Sequence, residues 1–293
     1  MPIITTSDQV ELFVEEAGSG EAIVFVHEFG GDMRSWEPQV RYFSRRYRCI
    51  TFNARGYPPS AVPDNIDAYS QRRAAEDIRD VLDSLGIDKA HIVGLSMGGF
   101  ATVHFGLIAP QRALSLVVAG AGYGAEKEHE DYFRDVSLEV AAQFEKQGAE
   151  QFSKTYSLAA SRIPFLQKDP RGWQEFQDYL SQHSAFGSAM TMRGVQARRP
   201  SLYDLEAELK AMPVPTLIVV GDEDDHCLQP GIFMKRAIPA SGLAVMPKAG
   251  HTLNLEDPAL FNQLVAEFLA SVAQNAWLPR DPRSQPSQIM KTS

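Results

Sequence analysis

Strand-length apolar runs alternate with helix-period stripes along most of this chain, and that alternation limits what it can fold into. The runs are Val10 to Val14, Ala22 to Val26, Tyr47 to Phe52, His91 to Val93, Leu114 to Val118, Thr216 to Val220 and Leu243 to Met246. Between two of them Ala74, Ile78, Val81, Leu82 and Leu85 mark one helical face, and Gly86 supplies a stop. Another helical pattern covers Ala259 to Ala270, with Pro258 at a first-turn position. Strands that alternate with helices predict an α/β fold, a mostly parallel, doubly wound sheet covered on both faces. No helical pattern separates the first two runs, so that edge of the sheet is expected to be antiparallel.

The alternation breaks between about Tyr123 and Leu205. This stretch shows no convincing strand, but it shows helical patterns around Phe133 to Phe144, Phe152 to Leu158, Trp173 to Leu180 and Ala185 to Val195. It is rich in large side chains, among them Phe133, Tyr156, Phe165, Phe176 and Met192. Inserted between two strands, it reads as a helical cap over the C-terminal edge of the sheet. Most of its aromatics are expected to form the cap's own core, and a few to face a ligand cavity, because such pockets are lined mainly by apolar and aromatic groups. Trp173, Phe186, Met190 and Arg193 are the candidates for that lining. The expected division is therefore a core domain over 1–122, a cap over 123–205, the rest of the core over 206–274, and a polar, Pro-rich tail over 275–293. Trp277 in that tail is a candidate to dock back on the body.

Composition narrows the function classes. With 28 Lys and Arg against 37 Asp and Glu, the 293-residue chain carries a formal charge of −9. That balance argues against nucleic-acid and anionic-membrane partners, which attract basic patches. The start, Met-Pro-Ile-Ile-Thr-Thr-Ser-Asp, lacks the basic-then-apolar pattern of a secretory signal, and no apolar run is long enough to span a bilayer. Two cysteines, Cys49 and Cys227, exclude a disulfide scaffold and zinc-ribbon spacing. Both are expected to be reduced, buried hydrophobes in a cytoplasmic protein.

The chemistry is most legible at His91-Ile-Val-Gly-Leu-Ser-Met-Gly-Gly. A short apolar strand runs into Gly94-x-Ser96-x-Gly98 and then into a helical pattern from Phe100 to Ala109. A serine hydroxyl is a poor nucleophile unless it is held exposed on a tight turn where a base reaches it. Gly94 and Gly98 leave room for such a turn, and the helix start behind Ser96 offers free N–H groups and a positive dipole end. With this segment the sequence resembles the α/β-hydrolase superfamily over nearly its whole length. It is most similar to members with a helical cap inserted after the sixth strand: esterases, lactonases, carbon–carbon bond hydrolases and cofactor-free haloperoxidases. The resemblance implies the chain order nucleophile, acid, histidine.

The last apolar strand runs into Gly250-His251, with Glu256-x-Pro258 starting the next helix, a match to the superfamily's catalytic histidine segment. Imidazole is the natural general base near neutral pH, which makes His251 the expected base. Of the other histidines, His226 is the main rival, although it is badly placed in chain order. The strand Thr216 to Val220 ends in Gly221-Asp222-Glu223-Asp224-Asp225. A serine–histidine pair needs a carboxylate to fix the imidazole tautomer. The resemblance places that acid three residues after the strand-end glycine, at Asp224, with Asp222 and Asp225 as alternatives.

The strand Ala22 to Val26 is followed by His27-Glu28-Phe29-Gly30-Gly31. By resemblance the oxyanion donors are the backbone N–H groups of Phe29 and Met97. Glu28 stands where the superfamily usually has glycine. An unpaired carboxylate there would oppose an oxyanion, so Glu28 is expected to point away and pair, with Arg55 as the expected partner. His27 is expected to brace this loop rather than act as a second base. Arg193, Arg198 and Arg199 are candidates to read a substrate carboxylate, although surface solvation is the plainer reading of all three.

The resemblance thus implies a serine hydrolase acting on a small carbonyl compound, a carboxylic ester or lactone first, through an acyl-enzyme on Ser96. Neither a metal nor an organic cofactor is required. The alternatives are a cofactor-free haloperoxidase or perhydrolase, a C–C bond or amide hydrolase, and a ligand-binding receptor on the same fold. The oligomeric state, monomer or homodimer, is left open.

Overall fold

The computed structural model describes residues 3–284. An eight-stranded sheet runs in the order β1-β2-β4-β3-β5-β6-β7-β8. Its strands are β1 (Ile3–Thr5), β2 (Glu11–Ala17), β3 (Ala22–Val26), β4 (Arg48–Phe52), β5 (Ala90–Leu95), β6 (Ala113–Ala119), β7 (Thr216–Gly221) and β8 (Ser241–Met246). Pairing is parallel from β4 through to β8. The other edge is antiparallel, as expected, but β2 pairs with β4 rather than with β3. The outermost strand, β1, is too short to carry a periodic signal and was not expected.

Alternation along the central strands sorts side chains onto two faces. In β3, Ala22, Val24 and Val26 join one core, while Ile23 and Phe25 join the other. In β7, Ile218 and Val220 go one way, Leu217 and Val219 the other. With apolar groups on both faces, the sheet needs helices on both, and it has them. One core holds α2 (Gln71–Ser84), α3 (Met97–Ile108), α8 (Glu206–Ala211) and α9 (Asp225–Ala237), through residues such as Ile78, Val103, Leu209 and Met234. The other holds α1 (Glu37–Phe43) and α11 (Pro258–Ala273), through Phe43, Phe261 and Val265. The short α10 (Leu253–Glu256) precedes α11.

Between β6 and β7 the chain leaves the sheet for α4 (Glu130–Tyr156), α5 (Ile163–Lys168), α6 (Pro170–Ser181), α7 (Ala185–Thr191) and a π-helical turn over Met192–Gln196. Gly148, at φ 76°, breaks α4. These helices bury Phe144, Phe152, Phe165, Trp173 and Phe176 in a third core that also takes in Phe29, from the loop after β3, and Met97, the first residue of α3. Polar bonds tie the same surfaces together. The Arg34 guanidinium donates to Gln182 Oε1 at 2.8 Å, and His183 Nε2 lies 3.3 Å from Asp32 Oδ2. Burial would raise the Asp32 carboxyl, but His183 and Arg34 override it and hold it far below the usual carboxylate range.

Trp277 docks: its Nε1–H donates to the Ala240 carbonyl oxygen at 3.0 Å, and its ring meets Phe268 edge-on at 4.6 Å. Of the expected tail, 285–293 lie outside the described residues. Among the described residues, no helix is long and apolar enough to cross a membrane.

Candidate active site

Parallel strands deliver their C-terminal ends to one edge of the sheet, and ligands of open α/β sheets bind in the crevice there. Ser96 sits at that edge, between β5 and α3, with φ 55° and ψ −113°. That conformation costs a non-glycine residue about 1–3 kcal/mol and is held by its surroundings. Ser96 N–H donates to the Ala119 carbonyl at 2.8 Å, and the Ser96 carbonyl accepts from Phe100 N–H at 2.9 Å. A Cβ at Gly94 would overlap the Gly98 carbonyl and Thr102 Oγ1, and one at Gly98 would overlap the Val26 carbonyl. The two glycines are therefore required by close approach of backbone.

His251 follows β8. Its Nε2 lies 2.7 Å from Ser96 Oγ, and its Nδ1 lies 2.7 Å from Asp224 Oδ2. A carboxylate only accepts, so Nδ1 carries the proton and Nε2 is free to accept the Ser96 hydroxyl. Asp224 is fully buried at the N-terminus of α9. Burial would raise its carboxyl, but the charge and hydrogen bond of His251 outweigh burial and keep it below its ordinary value. The alternatives do not reach His251: Asp222 and Asp225 are exposed, and Asp222 Oδ1 instead accepts from Ala249 N–H at 3.2 Å. His226 packs against Tyr123 with ring centroids 4.9 Å apart and the planes tilted by 52°.

The segment carrying His251 is clamped from both sides. Glu256 accepts from Gly250 N–H at 2.8 Å and from Thr252 N–H at 2.9 Å. His251 N–H donates to the Ser161 carbonyl, in the helical insertion, at 2.9 Å. Asp224, Cys227 and His251 bring three potential metal-ligand atoms within 4.8 Å of one another. An ion taking His251 Nδ1 would displace its proton and break the Asp224–His251 bond, and burial together with Asp224 pushes the Cys227 thiol well above its ordinary value. The donor set suits a triad better than a metal.

The loop after β3 departs from one expectation. Glu28 does point away and pair, but with Arg162 of the insertion, not with Arg55. Glu28 is 1% exposed and Arg162 is 2% exposed. The guanidinium donates to Glu28 Oε2 at 2.5 Å, to Oε1 at 3.1 Å and to Thr252 Oγ1 at 3.1 Å, and it stacks on the Phe176 ring at 4.6 Å. Burial would raise Glu28, but the Arg162 charge prevails and lowers it. Arg55 is taken up elsewhere: it donates to Asp77 at 2.7 and 2.9 Å and to Asp8 at 2.8 and 2.9 Å, tying the β1–β2 turn to α2. The Arg162 contact spans 134 positions of sequence and left no local signal. His27 is satisfied on both ring nitrogens, with Nδ1–H donating to the Glu28 carbonyl at 2.7 Å and Nε2 accepting from Ala54 N–H at 3.0 Å. Burial draws its pKa below 6.5.

Ser96 and His251 open into a cavity of about 340 Å³ beneath the insertion, with Phe29 also in its wall. Its apolar wall includes Tyr123, Phe133, Val136, Val140, Tyr156 and Met192. The four residues expected to line it do not. Trp173 and Met190 are buried in the core of the insertion, and Trp173 Nε1–H donates to the Ser157 carbonyl at 2.8 Å. Phe186 is 45% exposed. Arg193 pairs with Glu145 on the outside, with Nη2 2.7 Å from Oε2. The physical reason is that the apolar stripe of α6 and much of α7 faces α4, so the cavity wall comes from the start of α4 and from the π-helical turn. Met97, by contrast, follows Ser96 as the first residue of α3, where N–H groups have no intrahelical partner.

Comparison with known proteins identifies the fold family. The family model described as alpha/beta hydrolase fold matches residues 21–258. A 3-oxoadipate enol-lactonase of Acinetobacter baylyi is 30% identical over 86% of this chain and 89% of its own. A carboxylesterase of Bacillus subtilis is 29% identical over 80% of this chain and 75% of its own. Among solved structures, a thermophilic esterase from Thermogutta terrifontis superposes with a TM-score of 0.81 at 25% identity, covering 92% of this chain and 98% of that one.

Proposed function

The chain belongs to the α/β-hydrolase fold family, and from that premise we propose that it is a serine hydrolase cleaving a small carboxylic ester or lactone. The observation that carries the reading is the unbroken chain from Ser96 Oγ through His251 to Asp224, with both links at 2.7 Å. Ser96 Oγ attacks the carbonyl carbon while His251 Nε2 takes its proton. The imidazolium is stabilised by Asp224 and then protonates the leaving alkoxide. Water, deprotonated by the same nitrogen, attacks the acyl-enzyme, and the acid leaves with Ser96 restored. The N–H groups of Phe29 and Met97 hold the oxyanion, each worth about 3–4 kcal/mol at the transition state.

We read the helical insertion as a cap that walls the cavity and excludes bulk water. The two curated relatives support ester or lactone cleavage by their own activities. Hydrolysis of short-chain p-nitrophenyl esters and of lactones by the wild type and by Ser96→Ala tests the proposal. The expected outcome is a kcat lower by about 10⁴–10⁶-fold in the variant. A Ser96→Ala protein working within about tenfold of wild type (about 1.4 kcal/mol in barrier) would overturn the proposal.

A further inference from the structure

The cavity that holds Ser96 is electrically one-sided. The chain carries a net −9, yet among the described residues lining this cavity there is no Asp or Glu. Its ionisable walls are Arg162, Arg199, His129, His226 and His251, besides tyrosines. Arg162 is neutralised by Glu28. Arg199 is different. Its guanidinium donates to two neutral acceptors, Gln196 Oε1 and the Tyr123 carbonyl oxygen. It lies 3.7 Å above the Phe100 ring and 5.0 Å from that of Phe133. Its Nε is sealed from solvent and has no acceptor among the described residues.

The protein's other deeply placed guanidinia sit on carboxylates: Arg55 on Asp77, and Arg162 on Glu28. Among the described residues Arg199 has no such partner, and burial draws its pKa down to about 9. It therefore still carries its charge at neutral pH, with donor capacity to spare. Glu130, which lines a neighbouring surface cleft with Arg199, is itself paired with Lys127 at 3.1 Å. The backbone also singles out this place. A π-helical turn over Met192–Gln196 ends just before Arg199 and puts Met192 and Gln196 in the cavity wall. Such turns are rare and concentrate at functional sites.

We propose that Arg199 is the recognition site for a free carboxylate on the substrate, so that the protein acts on esters or lactones carrying a carboxylate a few bonds from the scissile carbonyl. The inference rests on the reading of Ser96 as nucleophile. Phe100, under the guanidinium, lies four residues beyond Ser96 at the start of α3, a rise of about 6 Å along the helix axis. Ser96 and Arg199 line the same cavity of about 340 Å³, so one small ligand can meet both. The fork of N–H donors matches a carboxylate, and the surrounding aromatic wall accepts the spacer.

The test compares kcat/KM for two matched pairs. One is mono-p-nitrophenyl glutarate against p-nitrophenyl butyrate, with the charge on the acyl side. The other is carboxymethyl butyrate against methyl butyrate, with the charge on the alcohol side. The wild type is expected to favour the charged member of at least one pair by about 10–100-fold, the range of a charge-assisted hydrogen bond. In Arg199→Gln that ratio is expected to fall to about one, mostly through KM, and Arg199→Lys is expected to keep part of it. Calorimetric titration of glutarate and of neutral glutaramide into Ser96→Ala gives a readout that needs no turnover. Tighter binding of glutarate, lost with Arg199→Gln, is the expected result. A wild type that favours neither charged ester and binds glutarate no better than glutaramide overturns the assignment. So does a preference that survives Arg199→Gln. If the thermal melt shows that Arg199→Gln does not fold, the wild-type ratios and Arg199→Lys still decide. Ester turnover without charge preference removes only this inference; glutarate binding through Arg199 without turnover removes only the hydrolase reading.

Discussion

At the scale of single residues, a few polar groups make bonds that leave them little choice of role. Asp224 accepts from His251 Nδ1 and thereby sets the tautomer that leaves Nε2 free for Ser96. Asp224→Asn preserves shape but offers the ring an amide, which permits the wrong tautomer. Its kcat on a good ester is expected to fall by about 10³–10⁴-fold with the fold intact, as measured by steady-state kinetics alongside a thermal melt. Glu28 poses a different test. Glu28→Gln leaves the buried Arg162 charge uncompensated and is expected to destabilise the protein by about 3–5 kcal/mol in a denaturant titration. Adding Arg162→Met should recover much of that loss. If the two changes destabilise additively, the pair is not coupled.

At the scale of elements, the strand–turn–helix around Ser96 was legible because it is local: an apolar run, two glycines at fixed spacing and a helical stripe. The structure adds the reason for each glycine, and so a prediction. Gly98→Ala forces a Cβ into the Val26 carbonyl and must push α3 away from β3. It is expected to lower ester turnover more than about tenfold and to destabilise by about 1–3 kcal/mol, by kinetics and urea unfolding together. Full activity in that variant would mean the elbow is looser than described. What the sequence did not disclose is long-range. Glu28 could be seen to need a partner, but Arg162 is brought to it only when the insertion folds over β3. The facing of α6 and α7 differs from the expected one for a similar reason. An amphipathic stripe shows that a face is buried, not against what, and the facing surface here is α4. Arg199 was visible as a candidate but not distinguishable from Arg193 and Arg198 until the π-helical turn placed it in the cavity wall.

At the scale of the whole molecule, buried titratable groups couple stability to acidity. Burial lowers His27, His91 and His104 below 6.5, so the unfolded chain binds their protons first. Stability from these groups is present above pH 6.5 and is lost as pH falls through 6.5 toward their lower folded values. Asp224 and Glu28 are likewise lowered from 3.8 and 4.5, so a second loss follows below those values. Asp77 and Glu256, raised by burial, oppose part of it. The unfolding free energy is therefore expected to decline from pH 7 to 5 and more steeply below 4.5, measured by urea titration at each pH. A flat profile between pH 7 and 5 would contradict the buried-histidine contribution. The same whole-molecule view gives the helical insertion its place: it closes over the one edge of the sheet where Ser96, His251 and the Asp224 loop meet. Whether that edge holds an activated serine is most directly read by intact mass after treatment with a neutral fluorophosphonate. The account predicts one adduct per chain in the wild type and none in Ser96→Ala. An unlabelled wild type, or an adduct that persists in Ser96→Ala, would contradict it.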